Sequence, residues 1–279
     1  MPMKWAGRVH MEDVGNGNKM FLFFSTAIHN YYYGLRIISD GRGPEKKIKH
    51  LIGIVDSGRM FHNQENKVLH QVTSSKSVPV CYDDENMLPF YGNNCFHIFD
   101  NFYHCTSHIV KHKNIVESYI DIQKFRVPAI KSVKINVFDD DILCMIRIGD
   151  FNSGRGMVIH PNYYLDILKS ISITNSKGKI YLMIYDKNPK MVLKYAEYFN
   201  EFDNRIIILD KNSEHHDFYL PYLFKTIIMS NSTFAWWSVF LNTNEKTKVY
   251  IPNIFGVGVP CMHSTSETRP FEHFKLQLE

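Results

Sequence analysis

No run of apolar residues in this chain approaches the roughly 20 needed to cross a bilayer. The longest early run is 20–24, Met20-Phe21-Leu22-Phe23-Phe24, and no basic segment with a cleavage site precedes it. Cysteine is sparse. Cys81, Cys95, Cys105, Cys144 and Cys261 are odd in number and show no CxxC spacing, so they read as reduced core thiols rather than a disulfide framework. Charge of one sign is also lacking. The net charge is +4 and basic residues are scattered, apart from Lys46-Lys47-Ile48-Lys49. That argues against nucleic acid as a partner and suits, at most, a small anionic ligand. Internal repeats and low-complexity tracts are absent. An apolar fraction of 44% over 279 residues then predicts a folded, soluble, cytoplasmic protein of one large or two ordinary domains.

Glycine is missing from the segment that organises the rest. Residues 226–242 read as a short β-branched strand, a polar turn, and a helix. Ser230, Asn231, Ser232 and Thr233 form the turn and cap, and Phe234, Trp237, Val239 and Leu241 supply helical faces. A strand–turn–helix of this kind gathers main-chain N–H groups and the positive end of a helix dipole at one point, an anion site. Without glycine, hydroxyl and amide side chains share the contact. The same segment also reads as an ordinary capped helix with a bulky core face.

From residue 136 onward strands and helices alternate. Strands are expected at 142–148, 179–185, 205–209, 226–229 and 248–251, with helices at 161–171, 189–199, 217–224 and from 233. This is the pattern of a parallel, doubly wound sheet, whose ligands sit beyond the carboxyl ends of the strands. Arg147, at such an end, suits bidentate contact with a phosphate, and Asp150 suits either orienting it or a structural ion pair. Earlier in the chain, 15–18 is a Gly/Asn loop opening a long helix. Residues 50–55, 78–82 and 95–99 read as strands, and 105–125 as helix ending before Pro128. His104, His108 and His112 fall at i, i+4 and i+8, but without an HExxH pattern they read as a packed or solvated face.

Three segments, in this order, resemble glycosyltransferase family 11, the α-1,2-fucosyltransferase group. Gly15-Asn16-Gly17-Asn18-Lys19-Met20-Phe21 resembles its N-terminal Gly-rich loop. Ile146-Arg147-Ile148-Gly149-Asp150 resembles its His-x-Arg-Arg-Gly-Asp signature. Residues 217–237, ending in Trp236-Trp237, resemble its Asn-Ser-Ser-Phe-Ser-Trp-Trp block. The resemblance implies an α/β GT-B fold, two Rossmann-like domains facing a central cleft. The expected division is an acceptor-side domain 1–135, a nucleotide-sugar-binding domain 136–262, and a tail 263–279 packing back on the first domain.

The resemblance further implies an inverting, metal-independent glycosyltransferase with no cofactor. Its partners are a nucleotide-diphosphate sugar, GDP-fucose by resemblance, and a glycan acceptor. Arg147 matches the arginine at the donor phosphate. Ser232 and Thr233 match the diphosphate cap, with Asn231 and Phe234 beside them. Asp217 falls near the base, and Gly17 and Asn18 at the cleft from the opposite domain. Met145 stands where the family has its signature histidine and Ile148 where it has a second arginine. Arg155 offers replacement charge, and UDP-xylose is an alternative donor, as in some soluble glycan-building transferases of large algal viruses, which are similar in size. If viral, the chain would act in the host cytoplasm. Asp13, Glu12 and His29 are candidates for the general base. Two rivals follow from the same residues. One is a metal-dependent GT-A transferase using Asp139 and Asp141, although Asp139-Asp140-Asp141 also reads as a solvated linker. The other is a non-catalytic nucleotide- or glycan-binding module.

Overall fold

The computed structural model describes residues 5–8, 15–33, 36–39, 44–54, 60–62, 71–72, 96–99, 106–153, 158–172, 177–210, 213–243, 246–255, 259–260, 266–269 and 273–274. The chain divides into two compact units, Met1–Val127 and Pro128–Glu279.

The first unit contains β1 (Trp5–Arg8), α1 (Asn16–Tyr33), β2 (Arg36–Ser39), α2 (Pro44–Ile52), β3 (Met60–His62), β4 (Gln71–Val72), β5 (Phe96–Phe99), α3 (Thr106–Lys111), α4 (Lys113–Glu117) and most of α5 (Ile122–Ser132). Its strands form a parallel sheet in the order β3-β2-β1-β5-β4. From Met20 to Phe24, and again at Ala27 and Ile28, α1 is fully buried, because it contacts β1 and β2 as well as α2 and α4. Thr26, buried among them, donates its hydroxyl to the Leu22 carbonyl at 2.7 Å and so carries no unmet polar group into the core.

Two sequence expectations are corrected here. Residues 50–55 were expected as a strand, but His50 to Ile52 belong to α2. Ile48, Leu51 and Ile52 recur at i, i+3 and i+4 and are all buried, while Pro44 opens the first turn. Only Ile54 makes a bridge, to Ile120. Nor does the helix stop before Pro128, because α5 runs through it to Ser132. Pro128 is exposed, so water can take the carbonyl bond its missing N–H forfeits. The expected strand at 78–82 lies outside the described residues.

The second unit contains β6 (Ile142–Arg147), α6 (Gly149–Ser153), β7 (Val158–Ile159), α7 (Pro161–Ser172), β8 (Ile180–Tyr185), α8 (Pro189–Ala196), β9 (Ile206–Ile208), α9 (Glu214–Tyr219), β10 (Thr226–Ile228), α10 (Thr233–Asn242), β11 (Lys248–Pro252), β12 (Ile254–Phe255), β13 (Val259–Pro260), β14 (Ser266–Arg269) and β15 (His273–Phe274). Six strands form one parallel sheet in the order β14-β11-β10-β6-β8-β9. Ile142 to Ile146 are all buried, the continuous apolar run expected of a central strand covered on both faces. Tyr164, Leu168, Tyr195 and Phe199 pack with Ile142, Cys144 and Ile146 in one core cluster. Within the segment 263–279, β14 extends this sheet beside β11 and β15 pairs with β7. Those strands therefore belong to the second unit, where the sequence reading had the tail on the first.

The strand order locates the crevice. From β6 the chain winds outward through β8 to β9, then returns to the other side of β6 as β10 and winds out through β11. The order reverses between β6 and β10. Beyond the carboxyl ends of two such strands, the connections leave in opposite directions and open a pocket for a ligand.

Candidate functional site

Arg147 is the last residue of β6, and the turn after β10 is Met229 to Ser232, so both border the point of reversal. Gly149 follows with φ +23°, a left-handed value that glycine adopts freely. The chain thereby folds at once into α6 and returns Asp150 to the arginine. One Asp150 oxygen accepts from Nε at 3.0 Å and from Nη2 at 2.7 Å, while the guanidinium lies 5.7 Å from the Phe151 ring centre. The two side chains are therefore paired, an arrangement that fits either reading of Asp150. It engages two of five guanidinium N–H groups, and the Arg147 side chain stays 33% exposed.

Across the reversal point, Ser230, Asn231 and Ser232 are all buried. Ser232 caps α10 with extended backbone angles and its carbonyl accepts from Trp236 N–H at 3.0 Å, but its hydroxyl makes no capping bond. The Ser230 hydroxyl is buried and has no hydrogen-bond partner among the described residues. A helix start that is buried without a capping side chain suits a bound anion, which would satisfy those donors. Burial of α10 is nearly complete. Trp236 stacks on Phe240 at 4.8 Å and meets Trp237 edge-on. Ser238 and Asn242 both donate to the Phe218 carbonyl, at 2.6 and 2.9 Å, which fastens α10 to α9.

That attachment brings a third group in. Asp217, on α9, is buried. Tyr185, the last residue of β8, has its phenol pushed well above the ordinary value by burial first, then by the charges of Asp217 and Glu214, with Arg147 acting the other way. Its ring meets Phe234 edge-on at 6.0 Å, and Phe234 meets Phe218 at 5.5 Å. Phe234 thus touches Tyr185, and the charges of Arg147 and Asp217 both act on its phenol. Neither Tyr185 nor Glu214 was picked out from the sequence. The available signal was position alone, since Tyr185 ends an expected strand.

The remaining sequence candidates fall elsewhere. Gly17 is buried and Asn18 half-buried in the first turn of α1, which follows β1 beside β5 in the first unit's own sheet. His29 lies in the same helix, twelve residues beyond Gly17 and so about 18 Å further along its axis. That spacing keeps it from sharing a reacting atom with the helix start. Asp13, Glu12 and Arg155 lie outside the described residues, as does His104.

His108 and His112 are buried, with ring centres 4.7 Å apart, and Tyr32 meets His112 Nδ1 at 3.1 Å. Among the described residues, no group of three or more His, Cys, Asp or Glu side chains is arranged to hold a metal. The acidic triplet stands at the opposite end of β6 from Arg147. Asp141 is buried and accepts from Lys179 N–H at 2.7 Å and Phe138 N–H at 2.8 Å, and Asp139 pairs with Lys225. Both are committed to main-chain and ion-pair contacts at the wrong end of the sheet for a ligand.

No protein-family model matches this chain, and no curated protein matches it. Among solved structures, the fucosyltransferase NodZ from Bradyrhizobium has a similar fold, with TM-score 0.50 and 12% identity over 86% of this chain and 94% of that one. NodZ α-1,6-fucosyltransferase soaked with GDP-fucose matches at TM-score 0.48 and 11% identity, over 86% and 93%. The fold of this chain is therefore α/β with parallel sheets, of the kind seen in that fucosyltransferase. No helix among the described residues is long and apolar enough to cross a membrane.

Proposed function

We propose that this chain is a glycosyltransferase of GT-B type that moves a sugar from a nucleotide-diphosphate donor to a glycan hydroxyl. One observation carries the reading. A strand-end guanidinium, Arg147, and a hydroxyl-lined helix start, buried from Ser230 to Ser232 and half-buried at Thr233, flank the reversal point of a parallel sheet. The three segments that resemble family 11 motifs and the fold shared with a fucosyltransferase support it.

The diphosphate lies between Arg147 and the first turn of α10. The acceptor oxygen bonds to the anomeric carbon from one face while the bond to the diphosphate oxygen breaks on the other, inverting that centre. Negative charge gathers on the leaving diphosphate, and Arg147 with the α10 dipole stabilises it without a metal. The acceptor proton passes to a general base. Two carboxylates, Asp217 and Glu214, act on Tyr185 through their charge. Guanine presents adjacent N–H donors that a carboxylate takes pairwise, which favours GDP-fucose over UDP-xylose.

A thermal-shift screen of GDP, UDP, ADP and their sugars tests the reading, since a ligand of the native state raises Tm with its affinity. GDP and GDP-fucose are expected to give the largest shifts, unchanged by EDTA and lost in Arg147→Ala. A full shift in that variant would remove Arg147 from the donor site. Binding by wild type without any transfer would favour the non-catalytic module.

A further inference from the structure

Main-chain accounting at the mouth of the crevice exposes two carbonyls that the sheet cannot satisfy. Met229 N–H donates to the Tyr250 carbonyl at 2.9 Å. In a parallel ladder the carbonyl of that same residue accepts from two positions further along the neighbour. For Met229 this is Pro252, which has no N–H. Tyr163 supplies the bond instead, its hydroxyl donating to the Met229 carbonyl at 3.2 Å.

The adjacent strand repeats the situation. Ile142 and Ile148 donate their N–H groups to Lys179 and Tyr185, on the β8 side, so the odd-numbered residues between them face β10. Cys144 stands opposite Ile228. A ladder running one step further would give the Met145 carbonyl the N–H of Ser230. Yet β10 ends at Ile228, and the Tyr164 hydroxyl donates to the Met145 carbonyl at 3.0 Å. The two tyrosines are consecutive, buried, and packed edge-on at 5.0 Å on the first turn of α7.

We propose that Tyr163 and Tyr164 are positioning residues for the anion-binding turn. Their hydroxyls occupy the last carbonyls of β10 and β6, so the main chain leaves the ladder at Ser230 and presents its N–H to the donor diphosphate. This inference rests on the nucleotide-diphosphate reading of the site. A tyrosine placed only for packing would need some acceptor, but two neighbours would not be expected to take the successive orphan carbonyls of two strands. Tyr195 provides the contrast: it is equally buried and donates to the Ile159 carbonyl at 2.6 Å, on β7.

The test compares Tyr163→Phe, Tyr164→Phe and Tyr195→Phe in the full chain. The readouts are titration with inorganic pyrophosphate and with GDP, and amide hydrogen exchange over 229–233. The first two variants are expected to bind pyrophosphate about 5- to 10-fold more weakly and to exchange faster in the turn. Tyr195→Phe is expected to lower Tm similarly and to change neither. Adding Pro252→Ala to Tyr163→Phe restores a main-chain donor at position 252 and is expected to recover the affinity. If wild type binds and the Phe variants bind and exchange like it, or if Tyr195→Phe loses as much, the positioning role is refuted alone. If wild type binds neither pyrophosphate nor GDP, the donor-site reading falls and takes this role with it.

Discussion

One carboxylate oxygen of Asp150 holds two nitrogens of Arg147, at 3.0 and 2.7 Å, three residues along the chain. The pair is well exposed, so its worth to folding is small, typically under about 1 kcal/mol. Its worth to binding is orientation of a planar donor. Asp150→Ala is accordingly expected to move Tm little while weakening GDP binding several-fold, and by less than Arg147→Ala. Calorimetric titration beside a melting curve reads both. A large Tm drop with unchanged affinity would make the pair structural only.

Ser230 offers the reverse dissociation. Its hydroxyl is buried without a partner among the described residues, and removing an unsatisfied buried group relieves a desolvation cost of about 1–3 kcal/mol. Ser230→Ala should melt at the same temperature as wild type or higher, yet bind pyrophosphate about tenfold more weakly. A variant less stable and equally tight would take Ser230 out of the site.

The far end of β6 is expected to matter for folding and not for chemistry. Asp141 ties the N–H groups of Lys179 and Phe138, and a Cβ at Gly178 would come within 1.8 Å of the Asp140 carbonyl. Asp141→Ala leaves both N–H groups without their acceptor and should cost about 2–4 kcal/mol. Gly178→Ala forces main chain apart and should also destabilise. Asp139→Asn, at an exposed pair with Lys225, should leave activity and stability near wild type. Transfer abolished by Asp139→Asn or by EDTA would restore the metal-dependent alternative.

Alkaline pH gives a further test. Burial raises the phenols of Tyr164, Tyr185 and Tyr195 well above the ordinary value of 10.0, and neighbouring groups add to it, Tyr195 foremost for Tyr164 and Asp217 for Tyr185. Because the folded values lie above the unfolded one, their contribution is complete below about pH 10 and is lost as pH rises through the folded values. Tm should therefore fall above about pH 10, and part of the phenolate absorbance should appear only with unfolding. Full ionisation of every tyrosine before unfolding would contradict the burial.

Much of the second unit could be read from local pattern. The strands β6, β8, β9, β10 and β11 appear within a residue or two of their expected places, because buried parallel strands are short apolar runs bounded by turns. The first unit was less legible. Segment 44–52 carries a helical face that a short apolar run conceals, and β1 and β2 carry no unbroken apolar run, since Gly7 and Arg8 end the one and Arg36 and Ser39 flank the other. Of the candidate site, Arg147 and the 230–233 turn stood out as residue types at a strand end and a helix start, whereas Asp217 came from the family resemblance alone. Tyr185 did not stand out, since an aromatic residue closing a strand looks like core.

By itself, the sequence determined the alternation of strands and helices after residue 136, the hydroxyl-rich start of α10, and an arginine at the end of β6. Only the tertiary structure decided that β6 and β10 are neighbours and that the winding reverses between them. It also decided that Tyr163 and Tyr164 complete the two strands there. The reason is physical: local periodicity records which face of an element is buried, whereas strand order and hydrogen-bond register join residues more than eighty positions apart, as in Ile142 and Thr226.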